Sequence, residues 1–169
     1  MRRAVSSREY ASRRESPPDD VLALLAGAPR PVPALVLSYP PALPGRPEAA
    51  AEPFLGLFRE ELLPLLPARP ERLSVVGYSL GAALAVLLAR AEGARVVALA
   101  TVGAVGAAEA LAHAGPELGS LASPVLVSWN TGDPCAPHSE RFVAALEAAG
   151  VDHDLARGEG GHGFRDYVA

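Results

Sequence analysis

From residue 73 onward the chain alternates short, continuously apolar runs with segments patterned for helix, and that alternation restricts the fold more than any other feature. LSVVG at 73–77 leads into a helix over 80–92. ARVVALA at 94–100 leads into a less regular helical stretch at 104–114. PVLVSWN at 124–130 leads into a helix at 138–149, followed by a short strand at 152–156. Strands that read as unbroken apolar runs, without polar alternation, are those buried on both faces of a parallel sheet. With helices between them they predict a single three-layer α/β domain, a mostly parallel sheet with helices on both faces.

Upstream the pattern is sparser. Asp19 to Pro29 carries acidic residues ahead of an apolar helix pattern that Gly27 and Pro29 close. Residues 34–38 read as a buried strand, which the proline-rich loop beginning Tyr39-Pro40-Pro41 cannot continue. Phe54, Leu55, Phe58, Leu62, Leu65 and Leu66 fall at helical spacing and predict an amphipathic helix over 50–66. Residues 1–16 are rich in arginine and serine and are expected to be a flexible tail. Glu9 and Glu15 run against a transit-peptide reading. The domain itself is expected over 17–169.

Bulk properties exclude several function classes. A chain of 169 residues is long enough for one core. Half its residues are hydrophobic and 20% charged, which sets it apart from disordered chains. Its 15 basic residues, all arginine, are outnumbered by 19 acidic ones. The resulting net charge of −4 makes nucleic acid and anionic membrane poor partners. No apolar run approaches the roughly 18 residues needed to cross a bilayer, and the start has no signal-peptide core. Cys135 is the sole cysteine, so no intrachain disulfide can form and a reducing cytoplasm is the expected setting.

In a parallel α/β sheet, ligands bind beyond the carboxyl ends of the strands, and three candidate residues follow three different strands. Ser79 lies in Gly77-Tyr78-Ser79-Leu80-Gly81, between strand and helix. Such a G-x-S-x-G sequence occurs by chance elsewhere. At a strand-to-helix junction it has a physical reason, because a tight strained turn exposes the serine and small neighbours avoid collision. A serine hydroxyl is a poor nucleophile without a base. Of the four histidines, His113, His138 and His153 fall in or beside regular elements and are expected at the surface or at helix ends. His162 sits in GEGGHGF, where glycines give the loop freedom to carry an imidazole over the sheet edge. Asp133, in WNTGDP just past a strand, is placed to orient that imidazole. The bland alternative is that Thr131 to Pro134 simply form a turn, and both can hold at once.

The remaining candidates have smaller parts. The Leu80 backbone N–H is expected to donate to an oxyanion, and the Tyr78 side chain is expected only to pack. Cys135 reads as a loop residue. The spacing of His, Cys, Asp and Glu matches no metal site, and no phosphate loop is present, so neither metal nor cofactor is expected.

With VVGYSLGAALAVLLA, PVLVSWNTGDPCAPHSERFVAALEAAGV and the closing GGHGF taken together, the chain resembles an α/β-hydrolase, and within that superfamily the small dienelactone hydrolase-like, serine esterase-like members. The resemblance covers residues 33–169. It implies cofactor-free hydrolysis of a carboxylic ester or similar acyl compound, with the chain order Ser79, Asp133, His162 used on this scaffold. The sequence departs from the family in two places. Family members commonly carry cysteine as nucleophile, where this chain has Ser79. They also begin with a strand whose following loop supplies a second oxyanion N–H. Either the strand at 34–38 takes that part, with Tyr39 as donor, or it is the next strand and the first is missing. The expected partner is a small acyl substrate, and a homodimer is expected if an incomplete sheet edge near residue 34 pairs with a second copy. A catalytically weak or silent domain that binds an acyl ligand or a protein is the alternative, and acyl transfer to an acceptor other than water would use the same residues.

Overall fold

The computed structural model describes residues 53–65, 71–114 and 124–163. The tail expected at 1–16, the helix at 19–29, the strand at 34–38 and Tyr39 lie outside them. Four strands form one sheet: β1 (Leu73–Tyr78), β2 (Val96–Val102), β3 (Val125–Asn130) and β4 (His153–Gly158). They lie side by side in chain order and every pairing is parallel. Helix α1 (Gly81–Glu92) connects β1 to β2, α2 (Ala107–Ala114) lies between β2 and β3, and α3 (Ala136–Ala148) lies between β3 and β4.

This strand order decides where the helices sit. Crossovers between parallel strands are right-handed, and here each new strand is added on the same side of the last. Successive crossovers therefore place α1, α2 and α3 on one face of the sheet. Register confirms that the inward residues share that face. Val75 pairs with Leu99, Leu99 with Val125, and Thr101 with Val127. Leu99, Val125, Val127 and Trp129 are buried with Leu111 of α2 and with Phe142 and Leu146 of α3 in one cluster. On the opposite face Val76 is 70% exposed and Leu126 39%, and the described helices do not cover it. Of the helices expected on both faces, the described residues thus show those of one.

The sequence of α1 explains its central position. Every residue from Ala82 to Ala89 is buried, the condition of a helix enclosed on all sides. Small alanines let it lie close to the sheet, and Leu88 turns toward a second cluster with Leu55, Phe58 and Leu63. These last belong to the helical segment at 53–65, which departs from the regular helix expected over 50–66. Phe58–Leu62 widens into a π turn, with the Leu63 N–H bonded to the Phe58 carbonyl, and Leu63–Leu65 tightens into a 3₁₀ turn. Pro64 is a physical reason for the change, since it has no N–H to give and its ring collides with the carbonyl four residues back. Arg59 fastens the segment to the end of α1. Its Nε donates to Glu92 Oε1 at 2.8 Å, its Nη2 to the Ala91 carbonyl at 2.9 Å, and Glu92 also receives Arg95.

Among the described residues, no helix is long and apolar enough to cross a membrane.

Candidate active site

The turn from β1 into α1 is tight in two measurable ways. Ser79 has φ 54°, the only positive φ of a non-glycine residue among those described. A single residue held in this region costs about 1–3 kcal/mol and persists only where its surroundings enforce it. Here the Ser79 N–H donates to the Val102 carbonyl at 2.8 Å, tying the turn to β2, and the Ala82 N–H returns to the Ser79 carbonyl at 2.9 Å. Gly77 permits the approach. A Cβ there would stand 2.5 Å from Ala82 Cα, 2.5 Å from the Gly81 carbonyl oxygen and 2.7 Å from Ala85 Cβ. Leu80, at the N-cap of α1, has a backbone N–H with no acceptor within the helix.

Ser79, His162 and Asp133 meet at the carboxyl ends of their strands. His162 Nε2 lies 3.0 Å from Ser79 Oγ, and His162 Nδ1 lies 2.7 Å from Asp133 Oδ2. A carboxylate can only accept, so the ring proton on Nδ1 is the one that faces Asp133, which leaves Nε2 as acceptor for the serine hydroxyl. The Asp133 side chain is fully buried, whereas that of His162 keeps 28% of its surface exposed. The acid sits in a turn that makes direct use of it: Oδ1 accepts the Cys135 N–H at 2.6 Å, and the Asp133 carbonyl accepts the Ala136 N–H as α3 begins. Asp133 thus forms part of the turn and touches the imidazole at the same time. His113 falls in α2, His138 in α3 with its Nδ1 2.8 Å from Arg141, and His153 at the start of β4, where Nδ1 approaches the Val151 carbonyl. Tyr39, expected to donate to the oxyanion, lies outside the described residues.

A model of the dienelactone hydrolase family matches residues 60–167. The chain belongs to that family. Nine chains of solved structures also match it. One of them, described as a ferulic acid esterase, shares 15% identity with a TM-score of 0.58, over 68% of this chain and 55% of that one. At that identity the likeness speaks to the fold. The chain spans about half the length of this solved relative. No curated protein matches.

Three members of the site escaped the sequence reading of this dienelactone hydrolase relative. Gly103, just past β2, has φ 56°, and a Cβ there would come 3.0 Å from His162 Cε1 and 3.2 Å from Asp133 Oδ2. A glycine directly after an apolar strand was the available signal. Asn130, buried at the end of β3, donates from Nδ2 to the Gly161 carbonyl at 3.0 Å. Ser139 is fully buried in α3, and its Oγ accepts the Ala104 N–H at 2.9 Å, bracing the loop after β2. Its position on the inward face of a helix gives no hint of that bond in the sequence.

Asp133, Cys135 and His162 bring three metal-donor atoms within 4.8 Å of one another. The donor set suits a metal poorly. Asp133 Oδ2 and His162 Nδ1 already face each other at 2.7 Å, and a thiol binds metal only as thiolate. Burial pushes the Cys135 thiol pKa up, and the neighbouring Asp133 carboxylate adds to the effect. Iodoacetamide near neutral pH should therefore alkylate Cys135 more slowly than an unhindered thiol, and Asp133→Asn should speed it. Alkylation of the native protein as fast as that of a free thiol would contradict this environment.

Proposed function

We propose that the chain is a serine hydrolase that cleaves a carboxylic ester, or a similar acyl compound, through an acyl-enzyme on Ser79. Family membership supports ester hydrolysis as the chemistry. The observation that carries the mechanism is the continuous contact from Ser79 Oγ through the His162 ring to Asp133, at 3.0 and 2.7 Å, beneath a strained strand-to-helix turn.

In the first half of the reaction, His162 Nε2 takes the hydroxyl proton as Ser79 Oγ bonds to the acyl carbon. The carbonyl becomes an oxyanion, and the Leu80 N–H at the positive end of α1 is assigned to hold it. Tyr39 is assigned the second donor on sequence grounds alone. Collapse of the tetrahedral intermediate breaks the ester C–O bond, and the alcohol leaves with the proton from Nε2. Water then attacks the acyl-enzyme with the same imidazole as base, which releases the acid and restores the Ser79 hydroxyl. Asp133 keeps the ring in the working tautomer and stabilises its charged form. The expected substrates are small or extended acyl compounds.

An active-site-directed fluorophosphonate tests this reading. The native protein should be labelled at Ser79, and Ser79→Ala or His162→Ala should abolish labelling. Folded protein that takes no label would instead support a silent ligand-binding domain. A series of p-nitrophenyl esters of increasing chain length would then define the acyl preference.

A further inference from the structure

Tyr78, expected from the sequence only to pack, touches the histidine in two ways. Its ring stacks on the His162 imidazole, with centroids 5.3 Å apart and planes inclined by 23°. Its hydroxyl donates to the His162 backbone carbonyl. From the other side of the loop, Asn130 Nδ2 holds the preceding carbonyl, that of Gly161, at 3.0 Å. Two successive carbonyls of the histidine loop are thus gripped from two strands, β1 and β3.

The need for such a grip follows from composition. The loop runs Gly158-Glu159-Gly160-Gly161-His162-Gly163, and glycines surrender more conformational freedom on ordering than any other residue. An imidazole on this backbone can serve Ser79 only if its Nε2 stays within hydrogen-bond reach. A displacement near 1 Å can lower a rate by about 10²-fold. The ring of Tyr78 also fixes the tilt of the imidazole, which a carbonyl contact alone leaves free.

We propose that Tyr78 is a positioning residue for hydrolysis: its hydroxyl anchors the backbone of His162 while its ring sets the plane of the imidazole toward Ser79. The inference rests on the reading of Ser79, His162 and Asp133 as the reacting groups. Tyr78 acts through His162, and its ring keeps an attractive face toward the imidazolium that forms when the proton is taken.

The test compares Tyr78→Phe, which keeps the ring, with Tyr78→Leu, which removes both contacts. The amount of competent site is titrated with fluorophosphonate, and kcat per titrated Ser79 and KM are read with p-nitrophenyl acetate. Tyr78→Phe should lower kcat about tenfold and Tyr78→Leu about 10²-fold, each with KM within about twofold of the parent and with the labelling rate falling in step. A purely structural tyrosine would lower the melting temperature and the titratable fraction but leave kcat per site intact, and that result overturns the proposal. If Tyr78→Leu does not fold, Tyr78→Phe decides alone: unchanged kcat and labelling rate sink the inference. Native protein that labels normally beside an unaffected Tyr78→Phe rejects only the positioning role, whereas native protein that never labels rejects the hydrolase reading as well.

Discussion

Replacing His162 by alanine is expected to lower kcat by roughly 10⁶-fold, and replacing Ser79 by alanine to do the same. The size of the effect follows from the shared bond between them. With the imidazole gone, the hydroxyl 3.0 Å away has nothing to receive its proton. With the hydroxyl gone, the imidazole has nothing to activate except water. Because both changes disable one unit, the double variant should be no slower than either single one. Asp133→Asn should be milder, roughly 10⁴-fold, because it reverses the donor and acceptor on Nδ1 without removing the base. Steady-state rates with p-nitrophenyl acetate check all four variants. Additive losses in the double variant would show that the two residues work independently.

The second large effect concerns stability, and it separates the two glycines of the Gly77-Tyr78-Ser79-Leu80-Gly81 sequence. A methyl group at Gly77 meets two backbone atoms at 2.5 Å and the Ala85 methyl at 2.7 Å. Neither backbone atom can turn aside, so β1 and α1 must separate. Gly77→Ala should cost about 3 kcal/mol or more, a fall in melting temperature of roughly 6–12 °C for a domain of this size. A Cβ at Gly81 meets nothing within 4 Å, and its φ is not positive. Gly81→Ala should therefore fold as well as the parent, with alanine the better residue in the first turn of α1. Thermal unfolding of the two variants side by side decides this, and equal melting temperatures would contradict the steric account of the turn.

That contrast bears on what was readable from the chain alone. The motif identified the turn but treated its two glycines alike, because a pattern of residue types carries no distances. Ser79 and Asp133 were legible since each follows an apolar run, and apolar runs locate strands well, whereas His162 stood out by its glycine-rich loop. Their ends were less legible. The strand expected at 94–100 lies at Val96–Val102, after a 3₁₀ turn at Gly93–Arg95, and it continues through a buried Thr101. Helix α3 begins at Ala136, two residues earlier than expected, because Pro137 is acceptable in a first turn where its missing N–H has no partner to lose. Helix α2 begins only at Ala107, since Gly106 takes φ 73° just before it.

The glycines around His162 were expected to give its loop conformational freedom, and the backbone shows what form that takes. The described glycines with positive φ are Gly93, Gly103, Gly106 and Gly150, so Gly160 and Gly161 do not supply a left-handed turn. The loop depends on contacts from Tyr78 and Asn130, which lie 84 and 31 residues away from their partners in the chain. Contacts of that span leave no local pattern in a sequence. Gly103 was missed for the same reason, because the demand for a small residue comes from His162 and Asp133, far along the chain.

The most direct measurement is to mix the protein with a short-chain p-nitrophenyl ester, quench it with acid before steady state, digest it and weigh the peptides. A burst of p-nitrophenol equal to the protein present is expected, with one acyl group on the peptide carrying Ser79. A hydrolytically active protein that shows neither burst nor acylated Ser79 would contradict the proposed acyl-enzyme.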